Sequence, residues 1–203
     1  MAVNAAPNPD AHVAKWTGWL HRLRDQVHTL YLWRTIWRTI IKTAEGNPEV
    51  PRTIVFDFMA ATYGASQAMA VRRLCGDQNR AISFRRLLRE IAANPGLLPP
   101  GRVNVAEVEA DLKALDSGVM KDVGRYVSQY LAHSQETPSV SIPSFEDLHA
   151  AIDALGALVR RYVLVIEDAD QLLEPAVLGD WMAPFRVAWL PGYPRVPRPK
   201  PRG

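Results

Sequence analysis

Apolar residues recur along this chain at spacings of three and four, which is the period of an amphipathic α-helix. The first such run follows Asp10, a residue type that caps helices, and stops at the breaker cluster Gly46-Asn47-Pro48. It predicts a helix, or a pair of helices, over about 10–45. The first half of its apolar face consists of Val13, Trp16, Leu20, Leu23, Val27, Leu30 and Tyr31.

Two further helices are predicted in the next fifty residues. One covers about 51–75, where the Ala- and Gly-rich middle suits a close approach between helices, and it ends at Gly76-Asp77. A shorter one follows Ser83 as an N-cap and ends at Asn94-Pro95-Gly96. The prolines and glycines over 94–103 predict a loop.

The second half of the chain predicts two more helices. One runs from Val105 to about His133 with a bend near Ser117-Gly118. The other begins at Ser144, which forms a capping box with Asp147 in place of the usual Glu, and continues through the apolar run over 163–166. No useful strand alternation is present, so we predict an all-α fold with four or five main helices packed as a bundle.

The composition is that of a globular protein. Hydrophobic residues make up 48% of the 203 residues and charged residues 22%, which excludes a wholly disordered chain. The single cysteine, Cys75, excludes an intramolecular disulfide framework and a zinc site built from several cysteines. We expect Cys75 to be a small structural residue, because a helix C-terminus disfavours the reactive thiolate.

The charge is concentrated at one end of the chain. The formal net charge is +3, and the last nine residues, 195–203, contain four cations and no acid, which leaves −1 for the rest. We therefore predict a helical domain over 10–192 and a Pro/Arg-rich disordered tail over 193–203. The tail is either simply solvated or contacts acidic partners or nucleic acid.

The sequence shows no signal for membrane insertion, export or cofactor binding. No apolar stretch approaches the roughly 20 residues that cross a bilayer, and the N-terminus does not resemble a secretory signal, so we expect a cytoplasmic protein with no membrane association. The sequence has no glycine-rich phosphate loop, dinucleotide fingerprint or paired-histidine metal motif. We accordingly predict no cofactor and no metal site.

One segment, 121–137, combines residues suited to RNA chemistry. Arg125, Gln129 and His133 are spaced by four and share one ridge of a helix, with Ser128 beside them. A histidine that transfers protons and an arginine that binds phosphate are the minimum for metal-free RNA cleavage. Spacing alone is equally compatible with a histidine that simply occupies a helix end.

Arginines are also concentrated over 72–89, where Asp77 is the only acid. Arg85, Arg86 and Arg89 lie on neighbouring faces of the short predicted helix and are candidates for binding RNA phosphates. The alternative is an ordinary solvated helix face.

The phrase YVSQYLAHS resembles the motif helix of HEPN domains, the helical bundles of toxin and phage-defence systems. Three further pieces resemble the abortive-infection U (AbiU-like) branch of that superfamily, and the matches together cover most of 12–192. They are ATYGASQAMAVRRLCGDQNRAISFRRLLREI, PSFEDLHAAIDALGALVRRY and GDWMAPFRVAWLPG.

The resemblance implies a bundle that is usually dimeric, with the motif helices of two subunits facing each other across a composite cleft. The family motif is an Arg, a polar residue, a few more positions and then His. His133 matches the histidine, whereas Val127 and Ser128 occupy the positions for the arginine, and Arg125 lies further upstream.

Three functions follow as hypotheses. The resemblance implies a metal-independent endoribonuclease or toxin in phage defence, acting alone or with an antitoxin or another defence-system protein. The departure at the arginine position favours an inactive HEPN module that binds a partner protein, a nucleotide or RNA. The near-neutral body is also compatible with a helical interaction protein that has no nucleic-acid role.

Overall fold

The computed structural model describes residues 9–46, 53–77, 81–132 and 141–169. All regular structure in these ranges is helical, which confirms the all-α prediction for them. The described chain contains six α-helices rather than four or five. They are α1 (Pro9–Glu45), α2 (Ile54–Cys75), α3 (Phe84–Ala93), α4 (Val105–Ala114), α5 (Gly118–Tyr126) and α6 (Phe145–Glu167).

The longest helix, α1, packs along α6 in the opposite direction. Near one end of the pair His21 contacts Glu167, and near the other Trp37 lies 5.3 Å from Phe145 between ring centroids. The 37 residues of α1 give a rod of roughly 55 Å at 1.5 Å per residue. The remaining helices pack against this pair.

The core lies between α1, α3 and α6 and extends to α2 and α5. Its largest fully buried side chains include Trp16, Phe84 and Tyr162. Trp37 is also buried, whereas Trp33 is 43% exposed and lines a cavity together with residues of α2.

The predicted single bent helix from Val105 to His133 is two α-helices and a π-helical turn. The chain leaves α4 at Leu115, and α5 begins at Gly118, whose φ of +51° is rarely adopted by residues with side chains. After Tyr126 the helix widens into a π-helical turn over Val127–Ala132. The bend was located correctly, but the α-helical spacing that was assumed across 127–132 is wrong.

The helix α6 agrees closely with its prediction. Ser144 Oγ accepts from the N–H of Asp147 at 3.1 Å, and the Asp147 carboxylate accepts from the N–H of Ser144 at 2.9 Å. The apolar run over 163–166 is helical, and the helix ends with Asp168 in the left-handed region at φ 58°. His133 and the tail over 193–203 lie outside the described residues.

Candidate functional site

A cavity of about 390 Å³ opens where the end of α2, the start of α3, α5 and the π-helical turn meet. We refer to it as the basic pocket, because its wall contains four cationic side chains and one carboxylate, Asp116. Such an excess of positive charge around a concave surface attracts anions. The cationic side chains are Arg72, Arg85, Lys121 and Arg125.

The basic pocket brings together three residues of the predicted catalytic set. Arg125 is in the last turn of α5, and Ser128 and Gln129 follow in the π-helical turn, and all three line the cavity. Their catalytic roles stay a prediction. The fourth member, His133, follows the end of the π-helical turn at Ala132 and is outside the described residues.

Ser128 links the π-helical turn to α2. Its hydroxyl donates to the carbonyl oxygen of Gly124 at 2.9 Å, and it accepts a hydrogen bond from Arg72 Nε at 3.1 Å. A serine hydroxyl has one proton to donate, so these two bonds fix its direction. Arg72 is thereby held with its guanidinium at the pocket wall.

Arg85 forms hydrogen bonds within the protein through all three of its guanidinium nitrogens. Its two terminal nitrogens donate to the two carboxylate oxygens of Asp116 at 2.7 and 2.5 Å, and its Nε donates to the carbonyl oxygen of Cys75 at 3.2 Å. The hydrogen bonds from Arg85 hold the pKa of Asp116 below its usual value. Arg85 therefore ties the end of α2 to the connection between α4 and α5.

The single cysteine takes no part in this chemistry. Cys75 is buried at the end of α2, and burial raises the pKa of its thiol to about 12. It is therefore a neutral thiol near pH 7, which agrees with the structural role predicted for it.

The other two arginines predicted to bind RNA lie away from the basic pocket. The Arg86 guanidinium stacks over the Trp19 ring of α1 at 4.5 Å, and Arg89 pairs with Asp77 at 2.7 Å. Asp116, which comes from another part of the sequence, adds a second carboxylate to this stretch by pairing with Arg85. The three arginines thus have three different surroundings rather than one patch, and their binding to RNA stays a prediction.

A second cavity, of about 580 Å³, lies between α1 and α6. We call it the aromatic cavity, and its wall includes Trp37, Arg38, Phe145 and His149. His149 Nε2 lies 2.9 Å from the Tyr63 hydroxyl, and burial together with Arg38 and Arg34 lowers the pKa of His149. Burial raises the pKa of Tyr63 to about 12, so the phenol keeps its proton near neutral pH, and the tautomer of His149 decides which of the two groups donates.

Sequence reasoning did not predict Lys121, Arg72 and Asp116 as site residues, and it missed the whole aromatic cavity. Lys121 precedes Arg125 by four residues on α5, so helical spacing was a usable signal for it. Arg72 and Ser128 are 56 residues apart, and nothing local in either segment indicates their contact. The same is true of Tyr63 and His149, which meet across 86 residues.

The basic pocket is equipped to hold a phosphate group. Guanidinium groups bind phosphate oxygens through paired, charge-assisted hydrogen bonds, and a lysine adds a point charge. Within the described ranges, no three residues of the types that ligate metals come together, and no helix is long and apolar enough to cross a membrane.

No protein-family model matches the chain, and no curated protein or solved structure matches it. The resemblance to HEPN domains is therefore still a prediction from the sequence. The structural feature that bears on function is the basic pocket.

Proposed function

We propose that this chain is a HEPN-type helical module that acts on RNA in the cytoplasm as part of phage defence, by metal-independent cleavage. The observation that carries the proposal is the basic pocket, where Arg125, Ser128 and Gln129 of the predicted motif meet further cations from α2 and α5. An RNA backbone supplies one negative charge per nucleotide, which matches this excess of cations.

In the proposed reaction, the 2′-hydroxyl of a nucleotide attacks the adjacent phosphorus and the bond to the 5′-oxygen breaks. A base accepts the 2′-hydroxyl proton, and an acid donates a proton to the leaving 5′-oxygen, which leaves a 2′,3′-cyclic phosphate. His133 serves as the acid or the base, and Arg125 stabilises charge on the phosphoryl oxygens. In a homodimer, the His133 side chains of two copies would supply both roles.

A second candidate is an inactive HEPN module that binds RNA, a nucleotide or a partner protein without cleavage. The observation that favours it is Val127, which stands at one of the two positions for the motif arginine and is only 3% exposed. A side chain buried there does not take part in binding a phosphate. An antitoxin or another defence-system protein is the partner expected for either candidate.

The test is cleavage of a single-stranded RNA by the full-length chain in the presence of a chelator. We expect cleavage products with a 2′,3′-cyclic phosphate and a loss of about 10²- to 10⁴-fold in rate for His133→Ala. His149→Gln is the matched control, because it removes a histidine from the aromatic cavity and not from the motif.

Equal cleavage by the wild type and His133→Ala would contradict the role of His133. RNA binding without any cleavage would favour the second candidate, and the absence of both would contradict the nuclease and any role of the chain in binding RNA. Sedimentation analysis of the same sample tests the proposed homodimer.

A further inference from the structure

The motif helix places no cation at the two positions where the family motif has its arginine. Val127 belongs to the hydrophobic core, and the Ser128 hydroxyl is hydrogen-bonded to Gly124 within its own helix. Neither side chain can donate a charged hydrogen bond to a phosphate. A cation directly at this position must therefore come from another residue, besides Arg125 and Lys121 of α5, which also line the pocket.

Arg72 comes to this position from α2. Its Nε donates to Ser128 Oγ at 3.1 Å, so the guanidinium lies directly against the residue that stands in place of the motif arginine. This hydrogen bond restrains the position of the guanidinium at the pocket wall. Among the described residues, Nη1 and Nη2 of Arg72 have no hydrogen-bond partner, and these are the two nitrogens that bind a phosphate in a paired arrangement.

Arg85 provides the contrast within the same pocket. All three of its nitrogens donate to the protein, two to Asp116 and one to the Cys75 carbonyl. The Asp116 carboxylate largely compensates the charge of Arg85 and occupies both terminal nitrogens of its guanidinium group. Arg72 has no carboxylate partner in the described chain, and it is held by a neutral hydroxyl that leaves its charge uncompensated.

We propose that Arg72 is the phosphate-binding arginine of the basic pocket, supplied by α2 in place of the arginine that Val127 and Ser128 do not provide. The inference rests on the proposed function, because it names the residue that holds the phosphate at the same site. Lys121 and Arg125 contribute charge from the facing wall. The ligand is the phosphate group of a nucleotide, either free or within RNA.

The test is calorimetric titration of the full-length chain with adenosine monophosphate, with adenosine, and with a short single-stranded RNA. We expect the monophosphate and the RNA to bind, and adenosine to bind at least about tenfold more weakly. Arg72→Ala should weaken binding of the phosphate ligands about 10- to 100-fold, since hydrogen bonds to a charged group are lost. Binding of the monophosphate but not of RNA would identify a free nucleotide as the source.

Arg73→Ala is the matched control, because Arg73 is the next residue on α2, is exposed, and does not line the basic pocket. It removes the same charge and should change affinity less than about threefold at moderate salt. Equal losses of affinity in the two alanine variants would overturn the proposal, since they would show that only long-range electrostatic attraction contributes to binding.

Arg72→Lys keeps the inference testable if the alanine variant does not fold. It retains the charge but not the fork, so an affinity several-fold below the wild type supports the proposal and an unchanged affinity overturns it. A wild type that binds neither the monophosphate nor RNA would also overturn it.

These outcomes are distinct from those of the cleavage assay. Loss of binding in Arg72→Ala without cleavage by the wild type upholds the inference and contradicts the nuclease. Cleavage by the wild type with undiminished binding in Arg72→Ala supports the nuclease and contradicts the inference about Arg72.

Discussion

The basic pocket and the interface between α1 and α6 both place arginines near hydroxyl and carboxylate groups, but the balance of charge differs. In the interface, Arg34 donates to Asp153 at 2.8 Å and to the His149 carbonyl at 3.3 Å, and the Tyr31 hydroxyl donates to the same Asp153. The charges there are paired within the protein. In the basic pocket one carboxylate faces four cations.

The two regions therefore have different physical consequences. Groups that satisfy one another hold two helices in register and contribute to folding, although an ion pair with a solvent-exposed carboxylate, such as Asp153, contributes little by itself. Cations that outnumber their carboxylates repel one another and are stabilised when an anion binds. The interface is accordingly the place where substitutions change stability, and the basic pocket is the place where they change binding.

The largest effect is expected at Gly156 of α6, against which the Tyr31 ring of α1 lies. A Cβ added there would overlap the Tyr31 hydroxyl oxygen and lie 2.9 Å from Cζ of that ring. Gly156→Ala therefore forces the ring away from Asp153 and should destabilise the fold by about 1–3 kcal/mol in chemical unfolding.

Gly18→Ala is the matched control on α1, because a Cβ at Gly18 meets nothing within 4 Å. It should stabilise the fold by about 0.5–1 kcal/mol, since alanine loses less backbone entropy than glycine in a helix. If both alanine variants are stabilised, the close approach at Gly156 is contradicted.

The next effect is a dependence of stability on pH through His149. Its pKa is lowered in the folded chain, by burial first and by Arg38 and Arg34 next. The unfolded chain therefore binds the proton more readily, so the stabilising contribution is present above about pH 6.5 and is lost as the pH falls below it. We expect at most about 1 kcal/mol, because solvent screens a half-exposed group.

Thermal unfolding of the wild type and His149→Gln between pH 7.5 and 5 measures this contribution. The wild type should lose stability on acidification more steeply than the variant, because glutamine does not titrate. Parallel pH profiles would contradict the assignment to His149.

The smallest effect is expected for binding at the basic pocket when Asp116 is neutralised. Asp116→Asn removes the charge that occupies Arg85 and releases that guanidinium to the pocket, so affinity for RNA should rise by about two- to fivefold. Fluorescence anisotropy at fixed salt measures the change.

Asp122→Asn is the matched control, because Asp122 is exposed on α5 and does not line the basic pocket. It changes the net charge equally and should raise affinity less. Equal increases for the two variants would mean that net charge, and not the release of Arg85, governs binding.

Local signals predicted the helices well. The breaker at Gly46, the Ser83 and Ser144 caps and the capping box with Asp147 all lie where the sequence indicates them, because capping is decided by a few adjacent residues. The π-helical turn was not predicted, since widening of a helix leaves no distinct periodicity over six residues.

The residues of the candidate site likewise include some that local sequence predicts and some whose contacts depend on the tertiary structure. Arg125, Ser128 and Gln129 were identified from their spacing, and they line one cavity because they are close in the chain. Arg85 was identified as a cation, but its pairing with Asp116 depends on how α3 packs against the connection between α4 and α5, 31 residues away in the chain. Because of this pairing, the Arg85 guanidinium, which was predicted to bind RNA, instead binds a carboxylate of the protein itself.

The sequence by itself determined the helical class, most helix ends and a segment rich in groups that bind phosphate, because periodicity, caps and residue chemistry are local properties. Only the tertiary structure decided which charges are compensated. Arg72 meets Ser128, Arg85 meets Asp116, and Tyr63 meets His149 through packing of distant helices. Compensation of charge depends on distances of a few ångströms in space, and separation along the chain carries no information about them.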